Sequence, residues 1–318
     1  MLYFKRLVML VAVCVVSIAT LFVMPSPTDQ EQAIYVRRGS LWSASEQLEQ
    51  QGTIRHRLIF FPVAKCFNSV KKLQAGEYLL PPRASMWDIL RLMQSGRHIK
   101  RAITIPEGYT TEQVLTLVEK DPYLSGQVDK DSYKEGMFLP ETYFFVRDDT
   151  RQAVLKRMAD AMKQALADAW NERSPDLPLK NETELLILAS IVEEEAKLDS
   201  ERSRIASVFI NRLKKNMRLE ADPTTIYAIT GGQYVLKRPL TKADLKLNSP
   251  FNTYVYRGLP PGPITNPGIG SIKAVAQPDS GHDLYFVVSG CEGAHNFSRS
   301  MAEHISHVRS YRKLKCNG

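Results

Sequence analysis

The chain begins with a segment that decides where the rest of it must fold. Leu7–Met24, LVMLVAVCVVSIATLFVM, is a run of 18 residues without a charge, and Pro25 and Pro27 close it. As a helix it would span about 27 Å, enough for the hydrocarbon core of a bilayer. Lys5 and Arg6 precede the run. Cations stay on the cytoplasmic side, so residues 1–6 are expected in the cytoplasm and residues 7–24 across the membrane. A cleaved signal peptide is the rival reading. No clear small-x-small site follows the run, however, and it is long for an h-region. The expectation is an uncleaved single-pass anchor. Cys14 follows Val13 rather than a small residue, so it does not read as a lipidation site.

Residues beyond Ser26 are then expected outside the cytoplasm, in the periplasm of an inner-membrane protein. Cys66, Cys291 and Cys316 would share that oxidising space. Three thiols cannot all pair within one chain; Cys291 with Cys316 stays open. No CxxC metal pattern exists. With 318 residues, about two domains are expected. The net charge of +8 suits an anionic partner such as a membrane surface or an acidic polymer. No Lys/Arg run is long enough for a nucleic-acid footprint, so none is expected as partner.

Residues 34–98 read as a small α+β module. Ile34–Arg38 alternates like a strand, and Ser40 can cap a helix ending at Gly52. Lys65–Gly76 is ambiguous. Gly76–Leu80 is strand-like. Ser85 with Asp88 caps the helix that starts at Met86, whose apolar side is Trp87, Leu90 and Met93. Residues 99–318 form the second domain. Ile99–Ile105 reads as a strand, Pro106-Glu107-Gly108 as a turn, and Thr110 with Gln113 as a capping box. Thr150 opens an amphipathic helix through Trp170. Ser200 can cap a helix with the face Ile205, Val208, Phe209 and Leu213. Asp222-Pro223 reads as N-cap and N1 of a helix ending at Gly231-Gly232. Asn248–Gly270 is rich in Pro and Gly yet carries Phe251, Tyr254, Tyr256 and Leu259, which favours an ordered functional loop over disorder. Asp283–Val288 reads as a buried strand. The fold class is α+β: an N-terminal transmembrane helix, the small module, then a mixed α/β domain.

The chemistry concentrates in one helix. Asn181 with Glu184 caps it, and Leu185, Leu188, Ala189, Val192 and Ala196 fall on one stripe at about 100° per residue. Glu193, Glu194 and Glu195 follow in a row. Glu193 and Glu195 flank the stripe, and Glu194 points away from it. Three glutamates at a helix end are commonly a solvated face. A carboxyl at the edge of an apolar surface instead has its proton affinity raised, as a general acid near neutral pH requires.

Four segments resemble the endolytic murein transglycosylase, or YceG-like, family: ASIVEEEA (Ala189–Ala196), SVFINRLKKNMRLEADPTTIYA (Ser207–Ala228), SPFNTYVYRGLPPGPITNPG (Ser249–Gly268) and LYFV with GAHNFSRSMAEH (Leu284–His304). TIPEG and EGMFLPETYFF also look like family pieces. The resemblance covers nearly the whole chain, and the module around Gly76-Glu77-Tyr78 is similar to a LysM-like domain. It implies cleavage of peptidoglycan glycan strands from within, between N-acetylmuramic acid and N-acetylglucosamine, leaving 1,6-anhydromuramyl ends. It implies Glu193 as the catalytic acid and Glu195 as a supporting carboxyl. No cofactor or metal is implied, and peptidoglycan synthases are candidate partners. A hydrolytic muramidase and a silent glycan-binding scaffold are the alternatives.

The remaining site residues stay open between two roles. Asp222 is a helix cap or a sugar contact. Tyr227, Asn252 and Tyr254 line the groove or are ordinary packing. Phe251 stands where the family usually has tyrosine, and Glu220 where glutamine is common. Glu303, His304 and His307 lack a wider ligand pattern for a metal. His295 and Phe297 read as ordering the loop near the site.

Overall fold

The computed structural model describes residues 2–26, 28–290 and 293–313. Cys291 and Cys316 lie outside them. The fold is α+β, in two compact units: Met1–Arg101 with Phe144–Asp149, and Ala102–Tyr143 with Thr150–Gly318.

The first unit begins with helix α1 (Leu2–Val23). Among the described residues this is the helix long and apolar enough to cross a membrane. Its side chains are exposed until the last turn, where Phe22 is 4% exposed and stacks on Phe60 with ring centroids 5.9 Å apart. Then follow β1 (Gln32–Val36), α2 (Leu41–Gln50), α3 (Arg57–Val70), β2 (Gly76–Leu80) and α4 (Met86–Ser95). β1 and β2 pair antiparallel, with Ile34 opposite Tyr78. Ser40 caps α2, and the Ser85–Asp88 box at α4 is complete. Helix α3 takes in only Lys65–Val70 of the ambiguous stretch and starts before it, at Arg57, in a segment that the sequence reading leaves without an element. Its interior Pro62 conceals it in the sequence, but Phe60 and Ala64 bury against the module core and hold it.

β3 (Arg101–Thr104) and β4 (Thr142–Phe145) each have residues in both units. The second unit contains α5 (Thr111–Lys120), α6 (Arg151–Asn171), α7 (Glu182–Glu195), α8 (Arg202–Lys214), α9 (Asp222–Thr230), α10 (Ile269–Ala276), β5 (Tyr285–Val288), β6 (His295–Ser298) and α11 (Met301–Lys313). β3 pairs with β4, and β5 pairs with β6 antiparallel. Helix α7 is the centre of this unit, packed against α6, α8 and α10. Ile187 through Val192 are all buried, so the helix is enclosed on every side rather than along one stripe. Even the polar Ser190 is satisfied there: its hydroxyl donates to Ile187 O and accepts the Ile264 N–H at 3.0 Å.

Three local expectations are corrected. Ser200 does not cap α8; a 3-10 turn, Asp199–Glu201, leads into the helix, and no side chain caps it. Asp222 lies in the first turn of α9 and makes no side-chain cap bond. Strand β5 is half-buried along its whole length rather than buried, as one strand of a two-stranded ribbon.

Candidate active site

Where α7 leaves the core, its last turn presents the three carboxyls to three different surroundings. The Glu193 side chain is 5% exposed. Its Oε2 accepts the Gly268 N–H at 2.8 Å, and its Oε1 lies 3.3 Å from Arg202 Nη2. Burial raises its proton affinity, and the charge of Glu107 adds to this. The Gly268 N–H, the Ser271 hydroxyl and Arg202 oppose it.

Glu194 faces a cleft of about 330 Å³, together with Gly108, Thr110, Tyr227, Tyr234 and Ile264. Burial, then the charge of Glu193, pushes its pKa up to about 7. Glu195 lies on the side of Asp222 and Arg212 and is half-buried. Burial pushes its pKa up to about 8, reinforced by Asp222 and Glu194 and opposed by Arg212 and the Asp222 backbone N–H. The helix C-terminus also disfavours negative charge. Adjacent raised carboxyls titrate as a set, so near neutral pH the row holds fewer charges than its three groups allow.

Around Glu195 the structure gathers Asp222 and Tyr254. The Tyr254 hydroxyl donates to Asp222 Oδ1 at 2.6 Å, and burial followed by this bond raises the pKa of the phenol. Tyr227 lines the cleft with Glu194. Its hydroxyl donates to Glu135 Oε2 at 3.4 Å, and its ring packs on Phe251 with centroids 4.9 Å apart. Asn252 is not part of the cleft. It is fully buried, and its amide is used within the protein: Oδ1 accepts from the Thr225 hydroxyl and the Tyr254 N–H, while Nδ2 donates to Leu245 O and Leu247 O. It fixes the loop that carries Tyr254.

Residues with no role in the sequence reading stand at the site. Arg202 Nη2 contacts Glu193, Glu107 at 2.8 Å and Asp199 at 3.3 Å. Glu135 accepts the Thr111 N–H at 2.6 Å, and burial raises its pKa. The buried Asn266 ties two distant segments together through Tyr109 and Phe138. Glu107, Glu135 and Asn266 stand in TIPEG, EGMFLPETYFF and the Pro- and Gly-rich loop, segments that carry the family resemblance, but the sequence reading attaches no role to these three or to Arg202. His295 is engaged by Glu201, with Nδ1 to Oε2 at 2.7 Å. His304 stacks on Tyr285, His307 Nδ1 bonds the Ser298 hydroxyl, and Glu303 accepts the Arg299 and Ser300 N–H groups.

An α+β domain built on one enclosed helix, with a carboxyl row at its exit beside a cleft, defines the class. The YceG-like family profile matches residues 34–310, and the chain belongs to that family. It is 29% identical over 339 aligned residues to an endolytic murein transglycosylase of Streptococcus pneumoniae, covering 92% of this chain and 61% of that protein. It is 34% identical over 279 residues to an endolytic murein transglycosylase of Bacillus subtilis, covering 77% of this chain and 75% of the relative. The crystal structure of a yceG-like protein from Listeria monocytogenes superposes with a TM-score of 0.54 at 30% identity, covering 88% of this chain and 99% of that one. The chain thus spans less than two thirds of the pneumococcal relative's length.

Proposed function

We propose that this chain is a membrane-anchored endolytic transglycosylase of peptidoglycan. It cleaves the bond from N-acetylmuramic acid to N-acetylglucosamine inside a glycan strand and leaves a 1,6-anhydromuramyl end. Lys5 and Arg6 keep the N-terminus in the cytoplasm, and residues 99–318 work as the catalytic domain in the periplasm. Residues 34–98 form a LysM-like module that holds or spaces the domain over nascent strands, beside peptidoglycan synthases.

The observation that carries this reading is the state of Glu193: a carboxyl almost closed to solvent, with raised proton affinity and one oxygen fixed by a backbone N–H. In this mechanism Glu193 begins as the neutral acid and gives its proton to the glycosidic oxygen as the C1–O bond breaks. The sugar's N-acetyl group can stabilise the positive charge left on the ring. The carboxylate then takes the proton of the sugar's own 6-hydroxyl, whose oxygen closes on C1. That hydroxyl is already held in place and competes well with water. Glu195, Asp222, Tyr227 and Tyr254 support the groove, and the Asn252 amide shapes its loop.

A second assignment has its own observation. Glu194, not Glu193, faces the cleft, with a pKa pushed up to about 7. Mass spectrometry of the products made by the full chain in detergent tests both. Anhydromuramyl ends that vanish in Glu193→Gln and persist in Glu194→Gln support the first reading. The opposite pattern moves the acid to Glu194. Reducing ends mean a hydrolase, and no cleavage by the parent removes the enzyme reading.

A further inference from the structure

Arg202 is the first residue of α8, and its side chain is 13% exposed. One nitrogen, Nη2, lies within 3.3 Å of Glu193 Oε1, 2.8 Å of Glu107 Oε2 and 3.3 Å of Asp199 Oδ1. Three carboxyl groups share this one nitrogen, of which Asp199 is largely solvated and Glu193 almost closed to solvent. The loop above it is shaped to the arrangement. A Cβ at Gly268 would overlap Glu107 Oε1, and a Cβ at Gly270 would overlap Arg202 Nη1. The same Gly268 offers its N–H to Glu193. Neither glycine has a positive φ (Gly268 is extended, φ −74° and ψ 168°), so it is the space left by the missing Cβ, not backbone freedom, that Glu107 and the guanidinium use.

We propose that Arg202 is a positioning residue for Glu193: shared with Glu107, it fixes the Glu193 carboxyl against Gly268 and sets the pH at which that carboxyl holds its proton. This rests on the reading of Glu193 as the acid for its functional meaning, but not for its geometry. The groups acting on Glu193 are Arg202 from α8, Glu107 from the turn before α5, the Gly268 N–H at the start of α10, and Glu194 on its own helix; the buried Ser271 hydroxyl lies nearby without a hydrogen bond to it. Arg202 favours the ionised carboxyl and Glu107 the neutral one, so the two residues tune it in opposite directions. After the proton has left, the guanidinium stands 3.3 Å from the new carboxylate and can follow its charge.

The test titrates the Glu193 carboxyl itself. Full-length protein in detergent is labelled with [13Cδ]glutamate, and the Glu193 resonance is assigned by its loss in Glu193→Gln. Arg202→Met is expected to raise the midpoint by roughly one pH unit or more, Arg202→Lys to restore most of the shift, and Glu107→Gln to lower it. In turnover, the alkaline limb should move with the midpoint, because the acid must be protonated to work. A midpoint unchanged in Arg202→Met and Glu107→Gln overturns the proposal. If Arg202→Met does not fold, the direction found in Glu107→Gln decides. Retained turnover in Glu193→Gln would remove the acid assignment instead, and the titration would still report whether Arg202 and Glu107 act on this carboxyl.

Discussion

The Tyr254 hydroxyl donates to Asp222 Oδ1 at 2.6 Å in the first turn of α9, beside the Glu195 carboxyl at the end of α7. Burial, reinforced by the Asp222 and Glu194 charges and opposed by Arg212 and the Asp222 backbone N–H, drives the Glu195 pKa from an ordinary 4.5 up to about 8.

That shift has a consequence for stability. A carboxyl whose pKa is higher in the folded state contributes fully below its unfolded value. The contribution is lost as pH rises toward the folded value, because the unfolded chain releases its proton first. For Glu195 the window runs from about 4.5 to about 8. The slope from one group is at most about 1.4 kcal/mol per pH unit. Glu195→Gln keeps the size of the side chain and abolishes the titration. Thermal unfolding should show this variant gaining on the parent between pH 5 and pH 8. Parallel melting curves across that range would contradict it.

Substituting the first two carboxyls should separate chemistry from surroundings. Glu193→Gln preserves size and the Gly268 bond but cannot give up a proton. Its turnover is expected to fall by about 10²–10⁴-fold with unchanged thermal stability. Glu194→Gln leaves the buried acid in place and is expected to retain activity within about tenfold, with any change in KM. Steady-state kinetics on uncross-linked strands measure both, and equal losses would mean that the two carboxyls work as one proton-sharing pair.

The parts legible in the sequence are those set by neighbouring residues. The Ser85–Asp88 and Thr110–Gln113 boxes and the Gly231 helix end follow from local hydrogen bonding and are found where the chain indicates. The Asp222 cap failed because Asp222 is already the first residue inside α9 and its carboxylate accepts the Tyr254 hydroxyl from a distant loop. Helix α3 was hidden by Pro62, whose local cost is outweighed by packing of Phe60 and Ala64. The row Glu193–Glu195 was visible, but its three environments were not, since the partners lie on other elements. Glu107 and Arg202 are 95 residues apart, and only the fold makes them neighbours. Asn252 resembled a groove amide because its four internal partners carry no pattern of their own.

Asn266 is expected to be the most sensitive polar position in the Pro- and Gly-rich loop. It is fully buried; Oδ1 accepts the Phe138 N–H at 2.8 Å and Nδ2 donates to Tyr109 O at 2.8 Å. Asn266→Ala leaves a buried donor and acceptor without partners, at about 1–3 kcal/mol each. Denaturant titration should show a lower midpoint with little change in slope. Asn266→Asp should fare as badly, because it keeps the acceptor but turns the donor into a charge facing the Tyr109 carbonyl. A variant as stable as the parent would mean that the loop does not depend on this amide.

The last turn of α1 should behave as part of the module rather than as free anchor. Phe22 is 4% exposed, stacked on Phe60 and edge-on to Trp87 at 6.4 Å. Removing a buried phenyl ring costs about 3–5 kcal/mol when the surroundings cannot collapse. Phe22→Ala should therefore lower the unfolding midpoint of the module, followed by Trp87 fluorescence in detergent with Trp42 and Trp170 replaced by Phe. A chain starting at Thr28 should show a similar loss, since Phe60 and Trp87 then face water. Val16→Ala, one and a half turns earlier and exposed, is the control and should leave the midpoint unchanged. If Phe22→Ala behaves like that control, α1 only tethers the module, and a soluble fragment without it would be a faithful substitute for the full chain.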